Sequence, residues 1–205
     1  MKTIPDYNAP RGFFSATSLW FAVGFVSILA QVAHGPAGPQ TLDSIESFWA
    51  RSLLTQFIHL SWTHLALNLA GLAVLTWGFS HLIKPSLWAG LLGLSLAWVA
   101  LYITFIEPLS WYCGLSGALH MQFVVCLALA FRQSTNVGLR AWPLWLMLLG
   151  LLAKLLLELN PAEATDPSVG GPVAYAAHRG GALGGLLVVI ILATPSVFKK
   201  FGRRV

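Results

Sequence analysis

Ser116 stands in Gly114-Leu115-Ser116-Gly117, a hydroxyl framed by glycines at the head of an apolar segment of helix length. Two further polar groups interrupt other apolar segments: His64 with Asn68, and His178. A serine nucleophile, an imidazole to take its proton and N–H donors for a developing oxyanion are the parts of acyl transfer. His64 and Asn68 are at i and i+4, so they share one helix face, and Ser61 stands ahead of them in an N-cap position. Gly114 and Gly117 let the backbone turn tightly beside Ser116 and expose its N–H as another donor. After His178 come Gly181 and Gly185, with Gly180 and Gly184 alongside. Such a small-residue stripe lets a helix approach its neighbour closely, as a Ser–His hydrogen bond between two helices requires.

The elements that must carry these residues follow from composition. Of 205 residues 57% are hydrophobic and 9% charged, which excludes an ordinary soluble domain. A bilayer crossing needs roughly 20 apolar residues. Six segments qualify, at about 16–33, 62–79, 85–106, 115–131, 141–158 and 175–194. Proline and glycine mark the gaps between them, including Gly35-Pro36, Pro85, Pro108, Pro161 and Gly171-Pro172. The expectation is an all-α membrane protein, a single domain over 1–205. The first segment reads as a retained helix, because Leu29-Ala30-Gln31-Val32-Ala33 lacks a small-x-small cleavage pattern.

Charge sets the expected orientation. With a cytoplasmic N-terminus, the inside segments hold Lys2, Arg11, Lys84, Arg132, Arg140, Lys199, Lys200, Arg203 and Arg204, nine of the twelve basic residues. The outside loops then hold Asp43, Glu46, Glu107, Glu158, Glu163 and Asp166, with Arg51 as their one fixed positive charge. This is the positive-inside pattern, with both ends cytoplasmic. The net charge of +5 reads as orientation and contact with anionic lipid, and nucleic acid is not expected as a partner. In this topology the second, fourth and sixth helices all enter from outside. His64 with Asn68, Ser116 and His178 therefore lie at one height below the outer surface. Polar groups inside a bilayer are costly and suggest function, and their coincidence in height strengthens that reading. No carboxylate is expected within the spans to orient His178, so a Ser–His dyad is read rather than a triad.

The segments His59-Leu60-Ser61-Trp62-Thr63-His64-Leu65-Ala66-Leu67-Asn68, Gly114-Leu115-Ser116-Gly117 and Ala177-His178-Arg179-Gly180-Gly181 resemble the three signature regions of rhomboid intramembrane serine proteases. The likeness covers nearly the whole chain and implies a six-helix rhomboid-like bundle. It implies Ser116 as nucleophile and His178 as general base. His64, Asn68 and the backbone N–H groups of Ser116 and Leu115 would form the oxyanion hole, supported by Gly114, Gly117, His120, Gly181 and Gly185. A narrower likeness is to the rhombosortase branch, through Gly-Leu-Ser-Gly-Ala-Leu-His and the Trp62 context before His64. Met121 follows His120, where many of that group have glycine. The branch implies processing, near the periplasmic face of a bacterial inner membrane, of surface proteins with a C-terminal Gly-rich motif, a transmembrane helix and a basic tail.

Other residues have blander readings. His120 shares a face with Ser116 and is expected to pack against His178 or hydrogen-bond near the site, with a base on the same helix as the alternative. His59 reads as a loop residue. Lys154 can pair with Glu158 one turn on, and Arg179 either snorkels or meets a lipid phosphate or substrate backbone. Cys113 and Cys126 are about thirteen helical residues apart, nearly 20 Å at 1.5 Å each, too far for a disulfide. No metal-ligand spacing occurs, and neither metal nor cofactor is expected. Asp43-Ser44-Ile45-Glu46 resembles a capping box, and Ile45, Phe48, Trp49, Leu53 and Phe57 recur at helical spacing, suggesting an amphipathic helix in the outer leaflet. Trp49, Trp62 and Trp111 are expected interface anchors. A catalytically silent rhomboid-like binder of membrane proteins would keep the same fold. A transporter is disfavoured, because the inner halves of these helices are almost purely apolar.

Overall fold

The structure, a computed structural model, describes residues 11–35, 52–83, 85–134, 141–159 and 165–193. The capping-box segment from Asp43 to Arg51, Lys84, Arg140, Glu163, Lys2 and the basic stretch from Lys199 to Arg204 lie outside the described residues. The sequence segments each become a helix: α1 (Arg11–His34), α2 (Trp62–Phe79), α3 (Pro85–Leu101), α4 (Ser116–Gln133), α5 (Trp142–Leu157) and α6 (Tyr175–Leu192). A π-helical stretch, Tyr102–Ile106, prolongs α3, and a two-residue ribbon pairs β1 (Thr165–Asp166) with β2 (Gly171–Pro172) in antiparallel register.

Among the described residues, four stretches are long and apolar enough to cross a membrane: Thr17–His34, Trp62–Leu82, Leu87–Ile106 and Tyr175–Leu192. α4 falls short in hydropathy because Ser116, His120, Gln122, Arg132 and Gln133 sit on its 18 residues. α5 falls short in length, its 16 residues spanning about 24 Å against a hydrocarbon core of about 30 Å. The surface is that of an integral membrane protein. Phe21, Phe25, Trp77, Leu156 and Leu157 are more than 60% exposed, an apolar coat that a soluble monomer does not carry.

Inside that coat, α6 is the keystone. It packs most extensively against α4 and also lies against α3, and two glycine rows make both approaches possible. Gly180 and Gly184 face the rings of Tyr102 and Trp98, and Trp98 Nε1–H donates to the Gly180 carbonyl at 2.7 Å. Gly181 and Gly185 face α4, where the nearest atoms are the Gly117 backbone and Val124 with the Met121 carbonyl. Below the site, Leu75, Phe79, Leu82, Ile83, Trp88, Val125 and Leu129 form an apolar core. At the far end, the Arg132 guanidinium donates to the Leu192 carbonyl at 2.9 Å, which satisfies an otherwise orphan helix-terminal acceptor.

The segment before α2 is pinned by buried polar contacts. Gln56 Nε2 donates to the carbonyls of Ser52 at 3.0 Å and Leu96 at 2.9 Å. The His59 N–H donates to Gln31 Oε1 on α1 at 3.0 Å. Ser61 caps α2, its hydroxyl accepting the His64 N–H at 3.0 Å and donating to the Val169 carbonyl at 2.8 Å. The helix start is thereby tied to the ribbon. Trp111, an expected interface anchor, packs partly buried against Leu60, Cys113 and Val169, while Trp62 is 53% exposed.

Candidate active site

α2, α4 and α6 all begin at the end of the bundle where α5 stops. Their first turns, with the last turn of α5, line a cavity of about 660 Å³ that holds His64, Asn68, Ser116, His120, Glu158 and His178. Its apolar side runs down between α2 and α5 past Leu67, Val74, Met147 and Leu151.

Ser116 is the first residue of α4, so its N–H is one of the four that a helix start leaves without an intrahelical acceptor. Gly114 precedes it at φ +96°, a conformation that favours glycine. A Cβ there would stand 2.7 Å from His64 Cε1 and 2.9 Å from its Nε2, so a side chain is excluded twice over. The Gly114 N–H donates to the Thr55 carbonyl at 3.0 Å, and the Gly117 N–H to the Tyr112 hydroxyl at 3.2 Å. Leu115 is fully buried among Val23, Leu72 and Leu92. The serine turn is thus held from three sides.

Ser116 Oγ is 2.8 Å from His178 Nε2. On the other edge of the same ring, His178 Nδ1 is 2.9 Å from Glu158 Oε2. The expectation that no carboxylate is available to His178 is therefore corrected. Glu158 follows the last residue of α5, and α5 ends at the height where α6 begins, which turns this residue toward His178. Lys154 pairs with the other carboxylate oxygen, as the one-turn spacing predicts.

His64 and Asn68 offer donors on the far side of the Gly114 turn. The Leu60 N–H reaches His64 Nδ1 at 3.4 Å, which makes Nδ1 the acceptor and leaves the proton of the neutral ring on Nε2. Nε2 is the His64 nitrogen closest to Gly114. Asn68 Nδ2 gives one hydrogen to the His64 carbonyl at 3.0 Å and keeps its second. His59 is buried behind, edge-on to His64 with ring centroids 5.1 Å apart, and is not in the cavity lining.

His120 stacks on His178, with centroids 4.3 Å apart and planes 17° apart. Its Nδ1 is 2.7 Å from the Ser116 carbonyl; a carbonyl only accepts, so Nδ1 carries the proton. His120 therefore does not reach the Ser116 hydroxyl through that nitrogen. Among the described residues His120, Glu158 and His178 are the one grouping of metal-ligand type. Stacked rings aim their lone pairs along nearly parallel planes, which converge poorly on one ion, and His120 Nδ1 and both His178 nitrogens already have hydrogen-bond partners.

Arg179 is held by protein groups. Its guanidinium donates to the Glu158 carbonyl at 2.9 Å and pairs with Glu107, whose other oxygen accepts from the Tyr102 hydroxyl at 3.2 Å. This one side chain ties α6 to the ends of α5 and of the π-helical extension of α3.

Cys113 is buried, and burial pushes its thiol up to about 12. The reactive species is the thiolate, so a maleimide at neutral pH is expected to leave Cys113 unmodified in the folded protein and to modify it after denaturation. Rapid native labelling, read by intact mass, would show an accessible thiolate beside Ser116.

The fold and site thus define a class: a helical membrane protein with a hydrogen-bonded serine and histidine sunk below one end. The family model for the rhomboid domain matches residues 46–195, and the chain belongs to the rhomboid family. Rhomboids are in general serine proteases acting on membrane-protein substrates within the bilayer. Neither the curated proteins nor the solved structures include a match to this chain.

Proposed function

We propose that this chain is an intramembrane serine endopeptidase in which Ser116 attacks a peptide carbonyl while His178 accepts its proton. His64 Nε2–H, the free Asn68 N–H and the backbone N–H groups at Leu115 and Ser116 face the oxygen that becomes negative. Donors fixed in advance around that oxygen lower the barrier without reorganising. Water then releases the acyl-enzyme, with His178 returning its proton. The observation that carries the reading is the 2.8 Å contact between Ser116 Oγ and His178 Nε2 in the lining of a cavity whose other side is apolar. A reacting peptide would find a polar cleft at the top and lipid-like walls below it.

In this reading the single domain spans 1–205 with six crossings, both ends cytoplasmic and the cleft open to the periplasm of a bacterial inner membrane. The crossings that length and composition alone do not assign are α4 and α5, whose polar residues and short span serve the cleft. The substrates are membrane-anchored proteins, of the rhombosortase type: a Gly-rich motif, one transmembrane helix and a basic tail at the C-terminus. The Gly114–His120 segment and Trp62 support that narrower assignment.

Co-expression with such anchored proteins is the direct test. The expected result is a truncated product whose new C-terminus, read by mass spectrometry, lies at the Gly-rich motif and ends in a free carboxylate. A C-terminus bearing an added amine would show transfer in place of hydrolysis. No truncation of any anchored protein by the purified, folded enzyme would leave the silent-binder reading.

A further inference from the structure

We infer that Glu158 is a positioning residue for the reaction, so that the site works as a Ser116–His178–Glu158 relay with Lys154 holding the carboxylate. The inference rests on the serine-protease reading above and deepens it. Glu158 and His178 side chains are 7% and 5% exposed. A carboxylate so deeply buried is costly unless it is paired and hydrogen-bonded. Here both of its oxygens are engaged, Oε2 by His178 Nδ1 at 2.9 Å and Oε1 by the Lys154 ammonium. Its backbone is engaged as well, by Arg179. Position, charge and orientation of the group are therefore all set before substrate arrives.

The consequence is chemical. An ionised carboxylate can only accept a hydrogen bond, so the proton of neutral His178 resides on Nδ1. Nε2 is left with a lone pair, 2.8 Å from Ser116 Oγ, and the Ser116 hydroxyl donates to it. Without the carboxylate, a proton on Nε2 would point the ring's donor at the nucleophile, and the base would be lost. When Ser116 Oγ bonds to the substrate carbonyl carbon, its proton passes to Nε2 and the carbonyl π pair moves onto oxygen. Glu158 takes no proton; it faces the imidazolium that has formed. The charges also balance. Lys154 and Glu158 cancel before the step, and imidazolium and oxyanion cancel after it, so no net charge appears in a low-dielectric cleft. The stacked His120 covers the ring face and leaves both ring edges to these two partners.

The other account of Glu158 is a tie between α5 and α6 that stabilises the bundle and does nothing more. Glu158→Gln, nearly isosteric, separates the two. With the full chain in detergent or liposomes and a peptide or anchored substrate, the relay predicts a kcat loss on the order of 10²–10⁴-fold, as when a triad carboxylate is made an amide. KM should stay near wild type. Nitrogen-15 NMR of the His178 ring should show the Nδ1-protonated tautomer in wild type and its loss in Glu158→Gln. Glu158→Asp, which keeps the charge, should recover part of kcat. Lys154→Met should lower kcat less than Glu158→Gln does, because the carboxylate remains. If Glu158→Gln and Glu158→Ala keep wild-type kcat and the same tautomer while Ser116→Ala is dead, the relay is wrong and the tie is correct. If Ser116→Ala itself still cleaves, the serine-protease reading fails, and that outcome is told apart by the one control.

Discussion

Ser116→Ala is expected to remove both substrate cleavage and covalent labelling by a fluorophosphonate. The phosphonate mimics the acyl-transfer step and needs the same Oγ, so labelling reports the nucleophile without requiring a known substrate. Removing one member of a serine–histidine unit costs about 10⁶-fold in kcat where it has been dissected. A loss of that size carries activity below detection. Because the two groups act as a unit, His178→Ala should be nearly as severe, and the double variant no worse than either alone. The 2.8 Å contact between Ser116 Oγ and His178 Nε2 is the physical basis of that non-additivity. Labelling that persisted in Ser116→Ala would move the nucleophile elsewhere. Cys113 is three residues away, but burial holds its thiol in the protonated form, so it is a poor substitute.

Much of this site was legible before any coordinates, and the reason is the bilayer. Water-soluble proteins scatter serine and histidine everywhere, whereas here a polar side chain within an apolar run is costly and conspicuous. His64, Asn68, Ser116 and His178 stood out for that reason, and the alternating direction of the helices placed them at one height. Glu158 does not stand out by the same logic. It closes the fifth segment, so in sequence it falls among the acidic residues of the outer loops and helical spacing pairs it with Lys154. Both assignments describe its chain neighbourhood, and the second is correct. What they omit is that the end of α5 and the start of α6 share a height, as the depth argument itself implies. Segment ends share that height as the starts do, and Glu158 and, against Arg179, Glu107 lie at such ends.

The short ribbon was not legible. Two-residue strands have no period, and Gly170, Gly171 and Pro172 read as loop. Its placement depends on Ser61 and Leu60, more than a hundred positions earlier, which meet Val169 and Gly171. Long-range pairing of that kind leaves no local pattern in sequence. Helix bounds were clear, because lipid imposes a nearly uniform length on apolar segments. Which of the helices would be too polar or too short to pass as a simple span was less so. α4 and α5 are those two, and they carry Ser116 and His120 or end at Glu158.

That division of labour makes the α4–α6 contact the weakest point to disturb, and Gly181→Ala is expected to show it. A Cβ at Gly181 would overlap the Gly117 carbonyl, with the Gly117 carbonyl carbon at 2.9 Å and His120 Cβ at 3.2 Å. The leading obstacle is main chain, which cannot step aside by changing a rotamer, so one helix must move. Overpacking of this kind costs about 1–3 kcal/mol. The functional loss should be larger than the stability loss, because Gly181 is one turn from His178 and Gly117 is next to Ser116. A displacement of even half an ångström between the helices lengthens a hydrogen bond that must be short for proton transfer. Fluorophosphonate labelling should therefore fall steeply in a protein that still folds and still has both Ser116 and His178. Gly90→Ala is the matched control. Beyond its own stretch of helix backbone, nothing lies within 4 Å of a Cβ at that position on α3, and the helix gains up to about 1 kcal/mol from losing a glycine. Thermal unfolding and labelling rates measured side by side on the two variants decide the matter. Wild-type labelling in Gly181→Ala would mean that the helices can separate without opening the Ser–His contact, and that the glycine stripe serves only to pack the bundle.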